Sequence, residues 1–98
     1  MKFARNVHFQ IKSGREQEFN KLLETEVLPM LRKQTGFKEE VTLLDGNRAL
    51  GISLWESRAN AETYQSSTFP RVLEKLTPVI EGTPRVETYQ IGTTTLHA

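Results

Sequence analysis

The chain has 98 residues, room for one hydrophobic core and none for a second domain, so residues 1–98 are expected to form a single domain. Thirteen Lys plus Arg stand against twelve Asp plus Glu with the signs interspersed, which leaves neither a nucleic-acid footprint nor an acidic tail. The absence of Cys excludes disulfides, thiolate nucleophiles and Cys-ligated zinc or iron–sulfur centres. No leader-like segment and no long apolar run is visible, so a cytoplasmic protein with no membrane partner is expected.

From Phe3 to Lys12, Phe3, Val7, Phe9 and Ile11 share one parity, and Ala4, Asn6, His8, Gln10 and Lys12 share the other. That alternation predicts a strand with one core face and one polar face. After Ser13-Gly14, apolar residues Phe19, Leu22, Leu23, Val27, Met30 and Leu31 recur at helical spacing, predicting an amphipathic helix that ends before Gly36. Pro29 lacks an amide hydrogen and crowds the carbonyl four residues back, so a kink or a broken last turn is expected there.

Phe37 to Leu44 and Ala49 to Trp55 read as an antiparallel hairpin around Asp45-Gly46-Asn47. In the second of these strands Leu50, Ile52 and Leu54 form a heavy face, expected to point at the helices. Ala49, Gly51, Ser53 and Trp55 form a face that is small until the indole, with space above it. Ser57 caps a short helix from Arg58 to about Gln65. A second helix follows with Phe69, Val72, Leu73 and Leu76 as its stripe and Pro70 in its first turn. Val86 to Ile91 is the last strand, and Gly92 to Ala98 a thin tail. The order predicts an α+β, ferredoxin-like β-α-β-β-α-β domain, with a four-stranded antiparallel sheet in strand order 4-1-3-2 and helices on one side. The other sheet face is expected to meet a second copy of the chain.

The succession of Ser13-Gly14-Arg15, Leu28-Pro29-Met30-Leu31, Thr35-Gly36-Phe37 and Leu54-Trp55-Glu56-Ser57, followed by the helical stretch from Ala61 to Phe69, resembles the antibiotic biosynthesis monooxygenase-like family over nearly the whole chain. The resemblance implies a dimeric α+β barrel, a homodimer in which two sheets face each other. It also implies a cofactor-independent monooxygenase acting on a hydroxylated aromatic or quinol-like small molecule, with no cofactor and no metal. Haem-degrading relatives resemble the chain at Asn6, but their helical Trp and haem-ligating His fall on Tyr64 and Glu74, which weighs against a haem-binding or haem-degrading role.

In the oxygenase reading His8 is the catalytic group, its neutral imidazole taking a proton from a phenolic substrate. The plain alternative is a solvent-facing or interface histidine. Strand parity places Asn6, His8 and Gln10 beside Gly51, Ser53 and Trp55 on the face away from the helices. The substrate-binding set is then Asn6, Gln10, Ser53 and Trp55, with Tyr64 and Phe69 at the entrance from the helical region. His97 joins His8 only if the tail folds back. The competing class is a non-catalytic dimer that binds a small hydrophobic metabolite.

Overall fold

In a computed structural model, which describes residues 2–96, the alternation at the start becomes strand β1, Phe3–Ile11. The hairpin becomes β2, Phe37–Asp45, and β3, Arg48–Trp55; the last strand, β4, runs Ile80–Gln90. All three pairings are antiparallel and the sheet order is β2-β3-β1-β4. This is the ferredoxin-like α+β arrangement read from the sequence. No helix among the described residues is long and apolar enough to cross a membrane. His97 lies outside the described residues.

The first helical run is continuous but not uniform. Helix α1, Glu16–Leu22, passes into a π turn, Leu23–Val27, and then into α2, Leu28–Arg32. The Leu28 amide donates to the Leu23 carbonyl five residues back. Pro29 sits in the first turn of α2, and the missing amide hydrogen is absorbed by widening the turn before it instead of breaking the last one. Gly36 then reverses the chain at φ +81°, and a Cβ there would stand 2.2 Å from the Asn60 side-chain oxygen. Only glycine meets both demands.

Helix α3, Arg58–Ser67, is capped by the Ser57 hydroxyl, which accepts from the Asn60 amide at 3.2 Å. Helix α4, Phe69–Leu76, buries Phe69, Val72 and Leu76. The core gathers Phe3, Val7, Phe9 and Ile11 from β1 with Phe19, Leu23, Val27 and Leu31 from the first helical run and Trp55 from β3.

One expectation is corrected. Across β1 and β3, Phe3 lies opposite Trp55, Arg5 opposite Ser53, Val7 opposite Gly51 and Phe9 opposite Ala49. Residues opposite one another share a sheet face, so Ala49, Gly51, Ser53 and Trp55 look at the helices. Ala49, Ser53 and Trp55 are buried there, and Leu50, Ile52 and Leu54 point away, half-buried. The physical reason is size: the indole offers more apolar area to bury than a leucine, and the small residues beside it leave room for helix side chains.

Candidate functional site

The small face of β3 does have space above it, between the sheet and the helices. Gly51 forms part of its floor beside Val7 and Phe9, while Leu23, Val27 and Leu31 come from the π turn and its flanks and Tyr64, Phe69, Val72 and Leu76 from α3 and α4. The opening leaves about 40 Å³ for the centre of a water-sized body, room for a few waters. A flat ring enters only when side chains at the rim move. The half-buried groups at that rim are Glu40 and Thr42 of the edge strand β2.

Within this apolar setting three polar residues form one row across the sheet. Arg5 on β1 and Glu40 on β2 both lie opposite Ser53 on β3, so they flank it from either side. Two strand spacings put their backbones roughly 10 Å apart, and the two charged ends do not form an ion pair. Ser53 is occupied by its neighbours: it accepts from the Trp55 indole at 2.9 Å, and its hydroxyl lies 3.4 Å from the Arg5 carbonyl.

Arg5 is 3% exposed, and among the described residues no carboxylate lies at ion-pair distance from it. Its guanidinium carbon stands 4.1 Å from the Phe69 ring centre and 5.0 Å from that of Tyr64. Its Nε donates at 3.1 Å to the Gln65 side-chain oxygen, which also accepts from Nη2. Burial lowers the Arg5 pKa, against the opposing pull of Tyr64. Burial pushes the Glu40 carboxyl up, partly offset by the hydrogen bond it accepts from Thr42 at 2.6 Å. The Tyr64 hydroxyl is pushed up to about 12, chiefly by burial, so at neutral pH it is a donor and not an anion. The cavity therefore offers a cation, a carboxyl group biased toward accepting and returning a proton, and a phenol, walled by aromatic rings.

Of the residues singled out in the sequence, Ser53, Tyr64 and Phe69 come together here, and Trp55 stands behind them with its ring centre 5.1 Å from that of Tyr64. Asn6, His8 and Gln10 do not join them. They lie on the opposite sheet face, where Asn6 is opposite Ile52 and His8 opposite Leu50, so the expected juxtaposition of His8 with Ser53 and Trp55 is absent. His8 Nε2 is instead 2.8 Å from Glu87 Oε1 on β4, beside an open groove that includes Gln10, Leu43, Leu50 and Arg85. Glu74, at the position of the haem ligand in the resembling pattern, is exposed on α4 and does not line the cavity. Arg5, Glu40 and Thr42 were not anticipated. Arg5 carried a signal, since it shares the parity of Phe3, Val7, Phe9 and Ile11 and is the lone cation in that row. Glu40 and Thr42, in a strand with charges on both sides, carried none.

No protein-family model and no curated protein matches the sequence. The fold does match solved structures. A protein of unknown function from Nitrosomonas europaea superposes with a TM-score of 0.84 at 18% identity, covering 99% of this chain and 95% of that one. A monooxygenase from the gene ActVA-Orf6 of Streptomyces coelicolor, in complex with nanaomycin D, gives 0.80 at 18% identity, covering 99% and 93%. SnoaB, a cofactor-independent oxygenase from Streptomyces nogalater, gives 0.80 at 14% identity, covering 98% of each chain. Antibiotic biosynthesis monooxygenase-like proteins are among the structural neighbours of the chain, and the resemblance read from the sequence holds at the level of the fold.

Proposed function

We propose that the chain is a cofactor-independent monooxygenase that takes a small hydroxylated aromatic or quinol-like molecule into the cavity between sheet and helices. One observation carries this reading: a buried guanidinium without a carboxylate partner shares a small, partly open, largely apolar cavity with a carboxyl group that burial pushes up. A cation in that state favours an incoming anion, and a carboxylate in that state is a better base than an exposed one. The monooxygenase neighbours add support at the level of fold alone.

In this reading Glu40 takes the proton of the substrate hydroxyl and Arg5 stabilises the resulting phenolate. The electron-rich ring then passes one electron to dioxygen, and the ring radical and superoxide join through a new carbon–oxygen bond at the ring carbon opposite the phenolate. The proton held by Glu40 moves to the outer peroxide oxygen. Glu40 next takes the ring C–H proton, a second carbonyl forms, the O–O bond breaks, and the departing hydroxide collects that proton as water. One phenol and one dioxygen give one quinone and one water, with dioxygen as the oxidant. Tyr64 and Phe69 hold the ring plane, and Ser53 stays with Trp55 as support. The proton step assigned to His8 in the sequence falls here to Glu40, because His8 faces away from the cavity.

The working unit is proposed to be a homodimer through the open sheet face. Support comes from Val41, Leu43 and Tyr89, which are 49%, 50% and 52% exposed on a face that also carries Leu50, Ile52 and Leu54. The deciding experiment is oxygen uptake with a panel of quinols, naphthols and anthrones, autoxidation without protein subtracted. Uptake that Glu40→Gln abolishes and His8→Ala spares is the expected result. Saturable binding with no uptake above the blank would favour the non-catalytic binding protein.

A further inference from the structure

Arg5 has a second side. Facing outward, it lines a separate groove of about 200 Å³ on the flank of α3, together with Phe3, Arg58, Glu62, Gln65 and Thr88. Arg5, which lines both, is thus the partition between this outer groove and the inner cavity, and Gln65 stands on its outer side. Resting on the reading of that cavity as a ring site, we infer that the ring carries a carboxylate, which the outer groove receives, so that the substrate class is the hydroxylated aromatic acids.

Two observations lead there. The Nε and Nη2 edge of a guanidinium is a fork that matches the two oxygens of a carboxylate. In Arg5 both of these nitrogens converge on one neutral oxygen, that of Gln65, a residue otherwise exposed on α3. A carboxylate in its place gives each nitrogen its own acceptor and supplies the counter-charge that the buried cation lacks. The second observation is Arg58, whose guanidinium carbon lies 5.3 Å from the Phe3 ring centre in the same groove. Among the described residues it too has no carboxylate at ion-pair distance, although Glu62 stands one helical turn further along α3. Two guanidinium groups against one carboxylate leave the groove with a surplus positive charge. A hydroxyl on the inner side of the partition and a carboxylate on the outer side are what an aromatic ring bearing both groups presents.

Calorimetric titration at neutral pH with 1-naphthol and with 1-hydroxy-2-naphthoate tests this without needing turnover. The acid should bind at least about tenfold more tightly than the naphthol, since a charge-assisted pair is added. Arg58→Gln should lower that ratio several-fold while Arg5 keeps the rest of it, Arg58→Lys should retain more of it, and Gln65→Ala should tighten the acid several-fold by removing the oxygen it displaces. Equal affinities in the unaltered protein, or a ratio untouched by Arg58→Gln, would overturn the inference and leave the cavity reading standing. Failure of both ligands to bind would overturn the two together.

Discussion

The Arg5 guanidinium carbon stands 4.1 Å from the centre of the Phe69 ring, a stacked cation that is 3% exposed. Stacking and one neutral oxygen recover only part of what a buried charge loses on leaving water. The fold therefore gains little from Arg5, which is what its proposed role toward an anion requires. Arg5→Met, similar in volume and without charge, should leave the thermal midpoint unchanged or raise it. Turnover should fall by roughly 10²-fold or more, the scale of losing one group that stabilises developing negative charge. Thermal melts beside oxygen uptake check this, and a protein that unfolds with full specific activity in its folded fraction would make Arg5 a structural residue.

Gly51 offers a way to fill the cavity without breaking it. A Cβ at this position meets Phe9 Cε2 at 3.6 Å and Glu40 Oε1 at 3.8 Å, ordinary contacts, and its φ lies outside the region that disfavours side chains. Gly51→Ala should stabilise the protein by about 0.4–1 kcal/mol through the unfolded chain while raising KM, because the methyl occupies the floor under the ring. Denaturant unfolding and steady-state kinetics read the two effects separately. Weaker folding with unchanged KM would place the substrate elsewhere.

Glu40 makes the proposed reaction depend on pH. Burial pushes its carboxyl up, so turnover should rise with pH through that raised value as the base ionises. Thr42→Val removes the hydrogen bond that holds the value down and should move the rising limb to higher pH. Stability runs the other way. The folded state keeps the Glu40 proton where the unfolded chain has released it, so this contribution is present below the unfolded value and is lost as pH rises through the folded one. Glu40→Gln should flatten both dependences. A rate profile with the same limb in Glu40→Gln would point to another base.

How far the residues could be read in advance follows from what each constraint involves. Elements were legible where local periodicity decides them: the β1 alternation, the Ser57 cap and the stripe of α4 all lie within a few residues. Strand order followed because right-handed crossovers leave few alternatives. The face of β3 was not legible, since Leu50, Ile52 and Leu54 alternate with Ala49, Gly51, Ser53 and Trp55 and both rows are compatible with burial. The pairing of Val7 with Gly51 settles it, and that is a contact between residues 44 apart in the chain. The same pairing moves the site to the other side of the sheet and separates His8 from Ser53. At Pro29 the local rule was right about the missing amide hydrogen, but the response, a π turn at Leu23–Val27, depends on what the helix packs against.

The correction on β3 strengthens the case for a second copy of the chain. With Trp55 inside, the face left open carries Leu50, Ile52 and Leu54 on a central strand, continued by Val41 and Leu43 on β2 and by Tyr89 on β4. An apolar row of this extent in a solvated sheet face is unusual unless it is covered. Leu96 near the chain end borders Val41, Ile52 and Leu54, but it is itself 54% exposed and does not cover them. Sedimentation at micromolar concentration should give twice the chain mass. Leu43→Glu places a carboxylate on the β2 side of the apolar row, and in a two-fold dimer every such change enters the interface twice, so the variant should sediment as a monomer or with a dissociation constant raised at least about 10²-fold. Because Leu43 is half exposed and points away from the helices, its far-ultraviolet circular dichroism should match that of the unaltered chain. A unaltered protein that stays at one chain mass over a hundredfold range of concentration would end the barrel reading, while Leu43→Glu that remains a dimer would move the interface to another surface.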